Sequence, residues 1–487
     1  MSRQFPAAPA VVALLLASLP APARGEAPSA APPDLLFLFA DDFSFEAIGA
    51  LGLVDIETPN LDRLYGRGTV FSRAHNMGGW NGAICVASRS MLVTGRTIWD
   101  ASRIYESTDA ERRAGRTWPQ MLASAGYETC MTGKWHIRTD AASAFDVARH
   151  VRPGMPDQAD EGYHRPPPGK PDPWDPADPR FGGYWSGGTH WSEVTANDAI
   201  EFIGRASGRE SPSFMYIAFN APHDPRQSPR EFAERYPPDR VALPDDFLPV
   251  YPFRDEIGCG PGLRDEALAP FPRTEHAVKV HRGEYFAIIS HLDRQVGRIL
   301  DALDSSGKAD STIVVFTADH GLSVGHHGLL GKQNLYEHST RVPFVLAGPG
   351  IEAGRVIDTP IYLQDIMPTT LELAGLPVPD YVGFASLLPL LRGDTDAPIR
   401  PSIYGAYMDL QRSVTHDGYK LILYPEARVA RLFHLDDDPG ERRDLAGDPS
   451  QADRRASLYQ ELLRLQEELG DPLDLRATFG ELNVGGG

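Results

Sequence analysis

The chain is poor in cysteine: Cys85, Cys130 and Cys259 are the only three in 487 residues. That scarcity excludes a disulfide scaffold, so an apolar core must hold the fold instead. Basic residues are also in short supply. With 47 Lys and Arg against 66 Asp and Glu, the formal net charge is −19, which argues against nucleic acid or an anionic membrane as partner. Long hydrophobic runs are missing too. The run Val11 to Leu19 falls short of the roughly 20 residues that a membrane-spanning helix needs, and no later segment does better, so no stable membrane insertion is expected. Internal repeats are not evident, which argues against a solenoid.

What is present fits a folded, exported chain. Apolar residues make up 42% and charged residues 23%, enough for one large domain and a smaller one. Residues 1–23 combine Arg3, the short apolar run and Ala21-Pro-Ala23, the layout of a secretory signal peptide. The expectation is a periplasmic or extracellular protein, mature from near Arg24. Cys130 and Cys259 could pair, but two free buried thiols are expected.

Several apolar runs end in chemically loaded residues. Leu35 to Phe39 reads as a buried strand that delivers Asp41 and Asp42 at its C-terminal end. Taken alone, such a pair also suits a helix N-cap. Thr312 to Phe316 is a matching run that leads into Asp319-His320-Gly321. Two acidic strand ends are costly to bury without a cation, and three carboxylates favour a hard ion such as Ca2+ or Mg2+. Tyr127 to Thr132 leads to Gly133-Lys134-Trp135-His136, and Ser213 to Phe219 leads to Asn220-Ala-Pro-His223. His327-Gly-Leu-Leu-Gly331-Lys332 then precedes Tyr336-Glu337. Singly, each basic residue could be a solvated surface charge. Together they follow strand ends of one α/β sheet, where ligand sites collect.

The stretch Cys85 to Arg96, CVASRSMLVTGR, carries the densest signal. Ser88 to Met91 reads as a helix start with Ser88 in a capping position, Cys85 at its N-terminal end and Arg89 one turn on. That setting is electropositive and suits an anion. A lone cysteine in apolar surroundings would otherwise read as core. The stretch closely resembles the modification signature of the type I sulfatases, C-x-P-S-R followed by T-G-R. Ala87 stands where that pattern has proline, which bears on the maturation system that recognises it. The G-K-W-H run at Gly133 to His136, the Asp-His-Gly cluster and the Asp437-Asp438-Pro439-Gly440-Glu441 tail match the same family in order.

The resemblance implies an alkaline phosphatase-like α/β fold: a large mixed, mostly parallel sheet flanked by helices, spanning residues 34–377. A smaller C-terminal subdomain of antiparallel sheet plus helix is expected over 378–475, from short strand-like runs between turn signals and an amphipathic stretch at Ala456 to Leu469. The resemblance also implies one metal, Ca2+ with Mg2+ as alternative, on Asp41, Asp42, residue 85, Asp319 and His320. Cys85 would be oxidised to formylglycine by a formylglycine-generating or anaerobic sulfatase-maturating enzyme. Its hydrated form is the nucleophile towards sulfur in a sulfate monoester.

The remaining roles follow from what such an ester needs. Lys134 and Lys332 neutralise the nonbridging oxygens, Arg89 and the metal favour the deprotonated nucleophile, and His136 is the base that expels sulfate. His223 protonates the departing oxygen, a role Lys332 could share. A sulfated small molecule or glycan is the expected substrate, the glycan by analogy with bacterial carbohydrate sulfatases; an aryl sulfate or choline sulfate stays open. Two further readings remain at this point. One is a phosphoester or phosphonate hydrolase of the same superfamily; the other is a sulfated-glycan binder in which Cys85 stays a thiol. Two Pro- and Gly-rich insertions, residues 152–188 with Tyr163, His164, Trp174, Tyr184 and Trp185, and residues 227–272, are candidates for the substrate rim.

Overall fold

Buried strands place the chemistry. The computed structural model describes residues 31–152, 154, 159–181, 185–186, 188–394 and 398–480; the signal segment and Tyr184 lie outside them. The main sheet has eight strands: β1 Asp34–Ala40, β2 Thr69–Phe71, β3 Glu128–Lys134, β4 Val147–Arg152, β5 Ser213–Ala218, β6 Thr312–Ala318, β7 Phe344–Ala347 and β8 Arg355–Ile357. Their order is β8-β2-β7-β6-β1-β5-β3-β4. The stretch from β6 to β4 is parallel, whereas β7 runs antiparallel to both β6 and β2. The sheet is thus mixed and mostly parallel.

Burial explains why these runs are strands. All seven residues of β1 are buried, as are all of β5 and β6, so they read as continuous apolar runs with no alternation. Each large side chain moved from water into this core contributes about 1.5–3 kcal/mol. The long helix α3, Glu275–Ser305, buries Tyr285, Ile288, Ile289, Leu292, Val296, Ile299, Leu300 and Leu303, the stripe that the three-and-four spacing predicts. Two further helices are α1, Ile84–Thr94, and α2, Trp191–Ser207.

Register then aligns the strand ends. Ala40 lies opposite Ala318, Phe39 opposite Ala218, and Gly133 opposite Ala218. The residues that follow, Asp41, Asp319, Asn220 and Lys134, therefore emerge along one edge. Gly133 marks a bulge in β3. Its φ is +89°, and a Cβ there would sit 1.8 Å from the Ala218 carbonyl oxygen, so only glycine fits.

The C-terminal sheet is antiparallel: β9 Ser402–Tyr407, β10 Gln411–His416, β11 Tyr419–Tyr424 and β12 Val429–His434. Helix α4, Ala452–Leu469, packs its Leu458, Tyr459 and Leu462 into the same core cluster as Val414 and Leu421. A fifth strand, Gly78–Gly79, joins parallel to β9, just before α1. The backbones approach so closely that a Cβ on Gly78 would meet the Ala406 carbonyl at 1.9 Å. Buried hydroxyls reinforce the junction, since Tyr251 bonds Tyr336 and Tyr424 at 2.9 Å each. All three cysteines are free and buried. Among the described residues, no helix is long and apolar enough to cross a membrane.

Candidate active site

The helix that carries Cys85 begins earlier than its sequence suggests. Ala83 is the N-cap and Ile84 the first residue of α1, so Ser88 sits in mid-helix and caps nothing. The reason is an anchor at Ile84, which packs with Tyr251, Leu335 and Tyr336. Asn81 accepts from the Ala83 N–H at 2.9 Å, and Ser88 is buried against Gln364, whose Nε2 lies 3.3 Å from its Oγ. Cys85 is nevertheless in the first turn, and Arg89 one turn on, as expected.

Arg89 ties three strand ends together. Its Nε donates to Asp319 Oδ2 at 2.9 Å and its NH1 to the Lys134 carbonyl at 2.8 Å. The guanidinium lies over the Phe39 ring, 4.6 Å from its centroid. Lys134 Nζ meets Asp41 Oδ2 at 2.5 Å. Lys332 Nζ bonds both Asp42 oxygens, at 2.9 and 2.8 Å. His320 Nε2 stands 3.1 Å from Asp42 Oδ1, and His223 Nε2 3.9 Å from Asp42 Oδ2. Cys85 Sγ faces His136 Nδ1 at 3.2 Å. The structure thus gathers every one of the residues expected in the site.

The donor set fits a divalent cation. Asp41, Cys85, Asp319 and His320 present ligand atoms that lie within 4.8 Å of one another, as do Asp41, Asp42 and His223. The two groups share Asp41, which makes them one centre. Asp41 Oδ1 is buried without a hydrogen-bond partner, a costly state that a bound cation relieves. Burial, and after it the charge on Asp319, pushes the Asp41 carboxyl well above its usual range, the signature of crowded carboxylates. Asp42 and His136 also hold positive φ, 68° and 54°, a strain typical of functional positions.

The field at Cys85 is strongly positive. Burial would raise the thiol, but Lys134 and His136 outweigh it and hold it well below the usual range. Burial opposes the charge on Lys332 too, yet Asp42 keeps its ammonium protonated far above the ordinary range. His223 is different. Burial and the neighbouring Lys332 push it well down, and its Nδ1–H donates to the Asp224 carbonyl at 2.8 Å.

One group of residues beside the site was not singled out from the sequence. Arg264 pairs with Asp224, NH1 to Oδ2 at 2.5 Å, and with Asp265, NH2 to Oδ1 at 2.5 Å. Asp265 in turn lies 3.7 Å from Lys332 Nζ and accepts from Gln333 Nε2 at 2.9 Å. The two insertions meet here through backbone bonds, His164 N–H to Ala267 and Arg165 N–H to Leu268, at 2.7 and 3.0 Å. The tandem Asp224 after His223 was the available signal; the partner in the distant loop had none. The aromatic insertion is also less open than expected, because Trp174 is buried and stacks on Phe181 with ring centroids 4.4 Å apart.

Comparison with known proteins agrees with this geometry. The profile of the family described as Sulfatase matches residues 33–376, and that of N-sulphoglucosamine sulphohydrolase, C-terminal, matches residues 325–468. A sulfatase of Formosa agariphila is 28% identical over 441 residues, covering 84% of this chain and 82% of its own. N-acetylglucosamine-6-O-sulfatase of Bacteroides thetaiotaomicron is 26% identical over 522 residues, covering 95% and 90%. The solved structure of a 2-O GAG sulfatase superposes with a TM-score of 0.71 at 23% identity, over 92% of this chain and 96% of that one, a likeness of fold.

Proposed function

This chain belongs to the sulfatase family, in its formylglycine-dependent, alkaline phosphatase-like branch, and from that premise we propose that it releases inorganic sulfate from a sulfated glycan. The observation that carries the reading is Cys85 at the start of α1, facing the acidic centre and flanked by Lys134 and His136. Relatives named for carbohydrate sulfate esters, such as the N-acetylglucosamine-6-O-sulfatase, support the substrate class. Asp41, Asp42, residue 85, Asp319 and His320 would hold one Ca2+, with Mg2+ as the alternative. Bound there, the ion would supply Lewis-acid charge to the ester and the nucleophile. Conversion of Cys85 to formylglycine by a maturating enzyme would supply a hydrated aldehyde, whose paired hydroxyls can attack sulfur and later release it.

The chain's own groups do the rest. Lys134 and Lys332, both buried, bind the nonbridging sulfate oxygens as preorganised charges. Arg89 fixes Asp319 and the end of β3, so that both stay aimed at residue 85. His136 Nδ1, 3.2 Å from Sγ, is placed to take a proton from the side chain of residue 85. His223 has Nδ1–H committed to a carbonyl and its ring is pushed down, so Nε2 must first take up a proton before it can hand one to the departing oxygen; Lys332, which stays protonated, shares that task. We further infer export through the signal segment at 1–23, a catalytic region over 34–377 and a C-terminal subdomain over 378–475.

A mass spectrum of the residue 85 peptide, from protein purified from its native host, tests the reading together with rates on 4-nitrophenyl sulfate and 4-nitrophenyl phosphate. Formylglycine and a preference for sulfate are expected. An unmodified thiol with no turnover would leave the binder, and a preference for phosphate would leave the phosphoester hydrolase. Cys85→Ser, in a host that does not modify serine, should turn over at most once and accumulate an O-sulfated residue.

A further inference from the structure

We propose that Arg264 and Tyr163 form a leaving-group subsite that selects an alcohol bearing an oxygen acceptor beside the esterified carbon, a sugar rather than a phenol or choline. The proposal rests on the sulfate-ester reading above and deepens it. Arg264 is one intervening residue away from each of the two groups assigned to the departing oxygen. Asp224 receives its NH1 at 2.5 Å while the same residue's carbonyl takes the His223 Nδ1–H at 2.8 Å. Asp265 receives its NH2 at 2.5 Å and lies 3.7 Å from Lys332 Nζ.

Exposure separates the residues that anchor from those that can touch substrate. Asp224 and Asp265 are 1% and 3% exposed, so they hold the guanidinium plane from within the protein. The Arg264 side chain is 23% exposed, and Tyr163 is half-buried. Among the described residues, donors remain free on both. Arg264 NH1 also donates to the Tyr163 hydroxyl at 3.3 Å, so that oxygen acts as acceptor and its own proton is left to give. Among the described residues, nothing accepts from Arg264 Nε–H. Two fixed donors of this kind match a neighbouring hydroxyl or ring oxygen. A phenyl ester offers no such acceptor, and a quaternary ammonium meets the guanidinium as a like charge. Sites built around polar donors discriminate strongly against ligands that leave them unpaired.

The test uses matured enzyme from the native host and two substrate classes: 4-nitrophenyl sulfate and a panel of monosulfated hexoses and hexosamines. The quantity read is the ratio of kcat/KM on the preferred sugar sulfate to that on nitrophenyl sulfate. Arg264→Gln should lower that ratio about 100-fold, and Tyr163→Phe, which keeps the ring and its packing, about tenfold. Arg264→Lys should fall between wild type and the Gln variant, because it keeps charge without the fork. An unchanged ratio in Tyr163→Phe and Arg264→Gln would overturn the subsite, whether or not absolute rates fall. So would a wild-type enzyme that splits nitrophenyl sulfate and no sugar sulfate. Wild-type enzyme that splits no sulfate ester at all would instead overturn the sulfate-ester reading, and this inference with it.

Discussion

Removing the Asp319 carboxylate should cost far more than one hydrogen bond, and most of the cost should come from Arg89. Both side chains are fully buried, and their bond at 2.9 Å is the only ion pair Arg89 makes among the described residues. Its NH2 already lacks a hydrogen-bond acceptor. In Asp319→Ala the guanidinium keeps the Lys134 carbonyl, the face of Phe39 and the weaker field of Asp41, but no bonded carboxylate. Stranding one member of a buried pair costs about 3–5 kcal/mol. The Asp42 N–H, which donates to Asp319 Oδ1 at 3.2 Å, also loses its acceptor, for about 1 kcal/mol more. The double variant Arg89→Met/Asp319→Ala removes the stranded charge and should regain most of the loss, leaving roughly 1–2 kcal/mol. Chemical unfolding of metal-stripped protein reads this directly, since no ion then contributes to stability. Neither variant should hydrolyse a sulfate ester. A double variant no more stable than Asp319→Ala would refute the argument, and so would full activity in Asp319→Ala.

Lys134→Ala and Lys332→Ala should each lower kcat/KM by about 2–4 kcal/mol of transition-state stabilisation, roughly 30- to 1,000-fold; unchanged steady-state kinetics in both would place the lysines outside the reaction. His326 gives a pH prediction away from the centre. Its ring bridges Asp246 and Glu46 at 2.9 and 3.1 Å; burial opposes its charge, but Glu46 raises its pKa from 6.5 to about 9. A group whose pKa is raised on folding stabilises the fold fully below the unfolded value, and that stability is lost as pH rises through the folded value. At most about 3 kcal/mol, from about 1.4 kcal/mol per pH unit, should therefore disappear between about pH 6.5 and 9. Thermal unfolding of wild type and His326→Gln across that window checks it, because the variant should lack this slope.

The strand ends were legible because each is a local pattern: an apolar run, then a chemically loaded residue. The run Leu35 to Phe39 announces β1 and therefore places Asp41 and Asp42. Register across the sheet, which no single run contains, is what brings Lys134, His223 and Asp319 to the same edge. The start of α1 was misread at Ser88 because the anchor is Ile84, and its partners Tyr251 and Tyr336 are far away in sequence. A capping serine and a buried helical serine look alike until the neighbours are known. Arg264 was missed for the same reason. Its meaning depends on Asp224, which sits 40 residues earlier.

That difference in legibility follows how the molecule divides its work. The groups assigned to the reaction hang from strand ends locked by a fully buried sheet, where a shift of one residue would turn every side chain to the other face. The groups assigned to selecting the alcohol sit on two insertions that are fastened to each other and, by side-chain bonds, to the loops around the centre. Their backbones pair at His164 and Arg165. Arg165 also bonds Glu284 on α3, at 2.8 Å through NH1, and Glu284 is followed by Tyr285, whose hydroxyl donates to the Asp42 carbonyl at 2.8 Å. The insertions are therefore referenced to the centre through side-chain bonds, from α3 and from the loops after β5 and β6 (Arg264 to Asp224, Gln333 to Asp265), rather than through strand register. Changes in their length or sequence can reshape the subsite while β1, β3, β5 and β6 stay in register. A selective pocket built this way leaves the local signature of the reaction intact, and hides the signature of the substrate in contacts between distant loops.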